Sequence, residues 1–137
     1  MRDAGRLAAA IDVLTQIDER HRPVRMALKN WGEAARYAGS KDRAFVSGLV
    51  LDVLRHRRSL AAAMGVDTDR ARALAALRLA WDWPIDRIAA AAQEEHGPGA
   101  LSAEEVGEML GRRPGAVRTA QSRALTRLRI FFEEVYR

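Results

Sequence analysis

The chain has 137 residues, no cysteine, and 23 lysine or arginine side chains against 18 aspartate or glutamate side chains, which gives a net charge of +5. This length suits one domain, or one small domain with an appended module, and the missing cysteines exclude disulfides, thiolate chemistry and cysteine-ligated zinc. No apolar run approaches the roughly 18 residues of a membrane span and no apolar leader opens the chain, so the sequence predicts a cytoplasmic protein with no membrane partner.

Apolar residues recur at helical spacing along the chain, and no run of alternating β-branched residues is typical of a strand. The sequence therefore predicts an all-α fold. Pro23 and Pro84 mark helix starts, and Gly39 and Gly65 mark helix ends. In chain order, the predicted helices span residues 3–19, 23–39, 40–58, 60–64, 67–81 and 84–92, followed by a polar Gly-Pro-Gly link over residues 93–100.

The third of these helices has the widest apolar face, and we expect it to organise the core. Its last turn, His56 to Arg58, is basic and lies where the negative end of the helix dipole favours cations. The first helix turns four apolar residues inward and leaves Val13 at the border of that face. The residues expected to share one core are Ile11, Leu14, Phe45, Leu49, Val53 and Leu77.

Three tryptophans, Trp31, Trp81 and Trp83, lie within apolar runs. Such side chains can stack on nucleic-acid bases, as in proteins that bind single strands. Their apolar neighbours favour the alternative, which is packing in the core or at helix ends.

The sequence offers no catalytic, metal or cofactor site. His21, His56 and His96 lie on different elements near helix ends, and no carboxylate is spaced to bind a metal ion with two of them. This placement favours surface or helix-dipole positions for the histidines. Neighbouring glutamates point about 100° apart on a helix, so such a pair cannot act as general acid and base across one substrate. We therefore expect a protein that is not an enzyme.

Residues 101–129 carry two helical patterns separated by a three-residue turn. Ser102 is placed as an N-cap with Glu105 three residues on, which is the capping-box pattern. Gly111 is expected to end the first helix in the left-handed conformation, and Pro114 opens the second. This arrangement is typical of a helix-turn-helix unit. The apolar face expected for its first helix consists of Leu101, Val106, Met109 and Leu110.

The second helix of this unit is expected to bury one face and to expose the other. The apolar positions at helical spacing are Val117, Ala120, Ala124 and Leu128. A second helix that exposes polar and basic side chains can lie in the major groove of DNA. The candidate DNA-contacting residues are Arg112 and Arg113 in the turn, and Arg118, Thr119, Ser122 and Arg123 on the outer face.

The excess charge of the chain lies entirely in residues 112–137. They hold seven arginines and two glutamates, whereas residues 1–111 hold sixteen basic and sixteen acidic side chains. Neutralising phosphates supplies the sequence-independent part of nucleic-acid affinity. The charge distribution therefore favours contact with nucleic acid over the alternative, a solvated basic face on an ordinary bundle.

Residues 101–129 resemble the fourth conserved region of sigma factors, particularly those of the extracytoplasmic-function type. The resemblance rests on an L-S-x-E-E-V-x-E-x-L-G helix, followed by R-P-G-A-V-R and an R-A-L-x-R-L tail. It implies binding in the major groove of promoter-like DNA, with RNA polymerase as a partner. Nothing upstream resembles the second conserved region of that family, which implies that the chain is not a complete sigma factor.

Residues 1 to about 100 carry a second resemblance, which rests on the stretches MRDAGRLAAAIDVL, HRPVRMALKNW, SKDRAFVSGLVLDVLRHR and RALAALRLAW. They resemble the NusB-like N-terminal domain of the Fmu/Sun family of ribosomal RNA 5-methylcytosine methyltransferases. This resemblance implies a helical bundle that binds RNA, with Arg2 and Arg6 at the matching basic positions and a ribosomal protein as a further kind of partner. Arg43 and Arg55 match as well, and helix capping and packing suit them equally. The catalytic half of that family has no counterpart here, so no methyl transfer is expected.

Together these patterns predict a NusB-like bundle over residues 1–98 and a helix-turn-helix over residues 99–137, which packs on the bundle or stands apart from it. The expected function is that of a non-catalytic nucleic-acid-binding protein in transcription or RNA handling, with DNA, RNA or both as ligand. Two alternatives stay open. One is an RNA-targeting domain of a ribosomal RNA cytosine methyltransferase that needs a separate catalytic partner, and the other is a helical protein-interaction module.

Overall fold

The computed structural model describes residues 1–111, which form seven α-helices and contain no strand. The prediction of an all-α fold is confirmed. The helices are α1 (Asp3–Arg20), α2 (Val24–Ala34), α3 (Ser40–Arg55), α4 (Arg57–Met64), α5 (Asp69–Leu79), α6 (Ile85–Gln93) and α7 (Ala103–Leu110). No helix within residues 1–111 is long and apolar enough to cross a membrane.

Helix α5 lies at the centre of the bundle and contacts α1, α3, α4, α6 and α7. Thr68 caps its start, because its hydroxyl accepts a hydrogen bond from the N–H of Ala71 at 3.1 Å. Every residue from Ala71 to Arg78 is buried. A helix without a polar face needs neighbours on all sides. Its small alanine side chains let those neighbours approach closely.

The core around α3 contains the residues that the sequence assigns to it. The fully buried members are Leu14, Leu49, Val53 and Leu77, and the partly buried members packed against them are Ile11 and Phe45. The prediction of one shared core is confirmed. The expected border position of Val13 is wrong, since Val13 is fully buried. The reason is that α1 contacts α2, α3, α5 and α6, so its buried face is wider than the sequence pattern indicates.

Helix α2 ends earlier than the sequence predicts. The pattern favours a helix up to Gly39, but α2 ends at Ala34. Arg43 of α3 stabilises the early end, because its guanidinium donates to the carbonyls of Gly32 and Ala38 at 3.2 and 3.4 Å. Carbonyls at a helix end need such partners. Here the partner comes from another helix, which a local pattern cannot show.

The predicted third helix is in fact two helices. Helix α3 ends at Arg55, and His56 leaves the helical path with φ −126° before α4 begins at Arg57. The expectation that His56 to Arg58 extend α3 is therefore wrong. The break turns the chain so that Leu60 of α4 is fully buried in the core. The free energy gained by burying Leu60 outweighs the free energy lost by interrupting one long helix.

His56 also differs from the surface position expected for the histidines. It is buried, whereas His21 and His96 are exposed as expected. Burial lowers the pKa of His56 below its usual 6.5, although the nearby Asp52 carboxylate opposes this shift. Burial therefore favours the neutral imidazole at the bend between α3 and α4.

The tryptophans pack in or against the core, which confirms the prediction that the sequence favours over base stacking. Trp83 is buried, and Trp31 and Trp81 are partly buried against the core cluster. The Phe45 and Trp81 rings meet edge to face with their centroids 4.9 Å apart. The indole N–H of Trp81 donates to the Asp52 carboxylate at 2.7 Å, so its one polar group is satisfied.

Candidate nucleic-acid interface

Helix α7 begins with the capping box that the sequence predicts. The Ser102 hydroxyl accepts a hydrogen bond from the Glu105 N–H at 3.0 Å, and the Glu105 carboxylate accepts one from the Ser102 N–H at 2.8 Å. The predicted left-handed end is wrong, because Gly111 has φ −69°, in the right-handed region. The N–H of Gly111 donates to the Gly107 carbonyl at 3.3 Å and so continues the helical hydrogen-bond pattern.

Arg70, near the start of α5, binds the start of α7 and so attaches α7 to the bundle. Its Nε donates to Glu105 Oε2 at 2.8 Å and its Nη2 to Glu105 Oε1 at 3.0 Å, which makes a two-point ion pair. The same guanidinium donates to the carbonyls of Pro98, Gly99 and Ala100, each at 3.0 Å. The hydrogen bonds of the ion pair lower the pKa of Glu105 and raise the pKa of Arg70. One side chain thus holds the start of α7 and the link before it.

The Gly-Pro-Gly link folds back on the end of α6. Gly99 has a φ of 112°, which favours glycine, and its N–H donates to the Ala92 carbonyl at 2.9 Å. A Cβ atom on Gly97 would lie 2.5 Å from the carbonyl oxygen of Ala91, so a larger residue does not fit there. The link is a compact turn, and α7 contacts α4, α5 and α6.

The apolar residues of α7 do not form the single face that the sequence predicts. Met109 is fully buried in the bundle core, and Leu101 packs against that core. Leu110 is instead 49% exposed. Neighbouring residues on a helix point about 100° apart. With Met109 directed into the bundle, Leu110 therefore lies on another side of the helix.

The candidate DNA-contacting residues, Arg112, Arg113, Arg118, Thr119, Ser122 and Arg123, lie outside residues 1–111, to which the structural description is confined. The same holds for the apolar positions expected on the inner face of the second helix. Their roles stay predictions from the sequence.

The two candidate RNA-contacting arginines have different surroundings. Arg6 donates from Nε to Asp42 Oδ1 at 2.7 Å, and its guanidinium lies 5.5 Å from the centroid of the Phe45 ring. The backbone N–H of Gly39, and after it Arg6, hold the pKa of Asp42 below its usual range. Arg2 is exposed. Of the two arginines, Arg2 is therefore the more accessible to a phosphate.

Arg2 lies on an open groove of about 780 Å³ between α1 and α2. Trp31, Tyr37 and Asp12 also line this groove. Tyr37 is 75% exposed, and burial raises the pKa of Asp12. Glu95 and His96, which follow α6, line the groove as well. The rings of Trp31 and Tyr37 can stack on a base and Arg2 can bind a phosphate, whereas the two carboxylates, Asp12 and Glu95, oppose a phosphate.

Sequence reasoning missed two arginines that organise the fold. Arg72 is buried and pairs with Asp18, Asp67 and Asp69, which joins α1 to α5. The three-residue spacing of Asp69 and Arg72 is a signal that could have revealed this pair. Arg70 had no such signal, because its partner Glu105 lies 35 residues away in the chain.

Comparison with known proteins gives a match to a short part of the chain. A stretch of 34 residues is 65% identical to the ECF RNA polymerase sigma factor ShbA of Streptomyces griseus. The likeness is to a sigma factor. The stretch is 25% of this chain and 18% of that protein, so the chain spans less than a fifth of the length of the relative it matches.

The match supports the resemblance of residues 101–129 to the fourth conserved region of sigma factors. No protein-family profile matches the chain, and no solved structure matches it. The resemblance of residues 1–100 to NusB-like domains receives no support from these comparisons.

Proposed function

We propose that this chain is a non-catalytic DNA-binding protein of transcription, in which residues 101–129 form a helix-turn-helix that reads duplex DNA. The observation that carries the proposal is the 65% identity over 34 residues with an extracytoplasmic-function sigma factor. That relative is named as an RNA polymerase sigma factor. We accordingly propose duplex DNA as the ligand and RNA polymerase as a partner.

The proposed mechanism divides the contacts between phosphates and bases. Arg112 and Arg113, in the turn, neutralise phosphates and set the position of the unit on the duplex. Arg118 and Arg123 present guanidinium groups that fit the two acceptors of guanine in the major groove. The hydroxyls of Thr119 and Ser122 serve as donors or acceptors to base edges. The seven arginines of residues 112–137 supply the charge that such a site needs.

We propose that the bundle over residues 1–98 supports the reader over residues 99–137. This role is supported by α7, whose start is held to α5 by Arg70 and whose Met109 is buried in the bundle core. A first helix fixed in this way limits the orientations open to the helix that follows it. A reader that is already ordered before it binds DNA loses less conformational entropy on binding.

RNA is the second candidate ligand, and one observation favours it. Arg2 is exposed on a groove that also contains Trp31 and Tyr37. Arg2, next to aromatic rings, can bind a phosphate while a base stacks beside it. The resemblance to the N-terminal domain of the Fmu/Sun family, which implies RNA binding at Arg2 and Arg6, is in keeping with this candidate.

A salt-titrated binding experiment tests the proposal. The full chain is titrated with duplexes selected from a randomised pool and with hairpin RNA, at several salt concentrations. The double variant Arg112→Ala/Arg113→Ala removes the two charges that the proposed reader places on phosphates. Arg36→Ala/Arg58→Ala is the matched control, because both are exposed arginines of the bundle. We expect the selected duplex to bind more tightly than RNA, with a salt slope that falls by roughly 2 in the reader variant only.

Three results would count against this function. Equal weakening in the reader and control variants would indicate general charge attraction. Tighter binding of hairpin RNA, lost in Arg2→Ala, would favour the RNA candidate. Absence of salt-dependent binding to either polymer would favour a protein-interaction module.

A further inference from the structure

The positive charges of the bundle are unevenly distributed. Residues 20–29, at the end of α1 and the start of α2, hold four of the sixteen basic side chains of residues 1–111 and none of the sixteen acidic ones. We call this surface the basic ridge and define it by Arg20, Arg22, Arg25 and Lys29. Arg22 is partly exposed, and the other three are exposed. No acidic side chain of residues 1–111 forms an ion pair with any of the four.

Helix stability does not account for the position of this charge. Arg20 lies in the last turn of α1, where the helix dipole favours a cation. Arg22 instead precedes the N-cap of α2, and Arg25 lies in its first turn, which contains no acidic residue. The positive end of the helix dipole disfavours cations there. A bound anion would offset this unfavourable interaction.

The surroundings of the basic ridge select among anionic partners. A helix that binds a lipid surface inserts its apolar face, but Leu28 and Trp31 of α2 pack against the bundle core. An acidic protein surface needs an apolar centre, and within residues 20–29 only Met26 is a large apolar side chain that is exposed. A DNA strand needs cations alone and offers one phosphate per about 3.4 Å of its axis. Arg25 and Lys29, about 6 Å apart along α2, can therefore reach separate phosphates.

The basic ridge lies at the end of the bundle from which α7 starts. Asp18 Oδ2, near the end of α1, lies 3.6 Å from Arg72 Nη2 of α5. Arg70, in the same turn of α5, pairs with Glu105 of α7 at 2.8 Å. The end of α1 and the start of α7 are therefore connected through one turn of α5. A duplex bound by residues 101–129 would approach this end of the molecule.

We infer that the basic ridge binds backbone phosphates of duplex DNA beside the site that residues 101–129 read. The choice of DNA rests on the proposed function, whereas the ridge itself lies in the bundle. Contacts to phosphates carry no sequence information, so the ridge adds affinity and extends the bound length of DNA. The bundle is then a second DNA contact as well as a support for the reader.

The length of the duplex tests this inference. The full chain is titrated, at several salt concentrations, with a short duplex limited to the selected site and with the same duplex extended by about ten base pairs, one helical turn, on each side. Arg25→Gln/Lys29→Gln removes two charges of the ridge, and glutamine retains the helix propensity. Arg36→Gln/Lys41→Gln is the matched control, because it also removes one exposed arginine and one exposed lysine of the bundle.

Each neutralised phosphate contributes roughly 0.9 to the salt slope, so the slope on the extended duplex should fall by roughly 2 in the ridge variant and stay unchanged in the control. On the short duplex, the parent and the ridge variant should have equal slopes. An equal fall on both duplexes, or in the control, would indicate general charge attraction and overturn the inference. Unchanged slopes would also overturn it, as would a slope that falls only with hairpin RNA. Circular dichroism verifies that the variants fold like the parent.

The variant Arg112→Ala/Arg113→Ala, measured in parallel, separates this inference from the proposed function. Weaker binding of the short duplex by that variant, with unchanged slopes in the ridge variant, would keep the proposed function and remove the ridge as a DNA contact. A lower slope in the ridge variant alone would keep the ridge as a phosphate contact and remove the proposed reader. A parent chain that binds neither duplex would remove both.

Discussion

The Glu105 carboxylate lies between two partners that belong to different parts of the fold. Its Oε1 accepts from the Ser102 N–H at 2.8 Å and from Arg70 Nη2 at 3.0 Å, while its Oε2 accepts from Arg70 Nε at 2.8 Å. The same side chain therefore starts α7 and attaches α7 to α5. Local helix formation and docking on the bundle are coupled through this one carboxylate.

The coupling predicts that Arg70→Met detaches the start of α7. The variant keeps most of the apolar stem of Arg70 but loses the ion pair with Glu105 and the hydrogen bonds to the link. We expect the free energy of unfolding to fall by roughly 1–3 kcal/mol, the range for hydrogen bonds to charged groups at a partly exposed site. Urea denaturation followed by circular dichroism measures this value. Arg58→Met, at an exposed position on α4, is the control, and an equal loss in both variants would contradict the coupling.

The same ion pair predicts a dependence of stability on pH. The pKa of Glu105 is lowered in the folded chain from its usual 4.5, chiefly by the hydrogen bonds from Arg70. The stabilisation is therefore complete above that usual pKa and is lost as the pH falls through the lower, folded-state pKa. We expect the stability difference between the parent and Glu105→Gln to shrink from about pH 6 to about pH 3. A difference that stays constant over this range would show that the charge of Glu105 does not contribute.

The core predicts a contrast between two leucines of α3. Leu49 is fully buried, whereas Leu51, two residues along the same helix, is 37% exposed. Leu49→Ala should lower the free energy of unfolding by roughly 2–5 kcal/mol, because transfer energy is lost and a cavity remains. Leu51→Ala should cost about 1 kcal/mol or less, since little burial is lost. Similar losses measured by thermal or urea denaturation would show that α3 is oriented differently.

The sequence predicts the helices of this protein well where local signals decide them. Ser102 and Glu105 identify the start of α7 because both capping partners lie within one turn of helix. The periodicity of α3 identifies Leu49 and Val53 as core residues because burial there follows the helix repeat. Such features need no knowledge of the rest of the chain.

Features that depend on distant partners could not be predicted in this way. Arg43 donates to the carbonyl of Gly32 in the last turn of α2, which comes earlier in the chain, and Arg70 pairs with Glu105, 35 residues later. The sequence of α7 predicts one apolar face, because the spacing of Met109 and Leu110 does not reveal which of them faces a neighbour; in the structure only Met109 is buried.

The proposed reader predicts a specific effect at Arg118. If its guanidinium contacts a base edge, Arg118→Ala should weaken binding of the selected duplex by roughly 1–3 kcal/mol and relax the preference at one base pair. If it contacts a phosphate, all duplexes should weaken alike. Selection from a randomised duplex pool with the variant distinguishes these results. Unchanged affinity and preference would remove Arg118 from the interface.

The proposed division of the chain near residue 98 predicts how a chain that ends at Gly99 behaves. Within residues 1–111, helices α1 to α6 and Trp83 between α5 and α6 supply the buried core cluster apart from Met109, so the shorter chain should still fold cooperatively. It loses the burial of Met109, which is about 1.5–3 kcal/mol, and the Glu105 and Ala100 partners of Arg70, which add roughly 1–3 kcal/mol. For a domain with a total stability of about 5–15 kcal/mol, these losses lower the urea midpoint without abolishing the transition. A broad transition with retained helix signal and lost near-ultraviolet dichroism would mean that α7 completes the bundle. In that case residues 1–98 are not a domain of their own, and the reader and its support form a single folding unit.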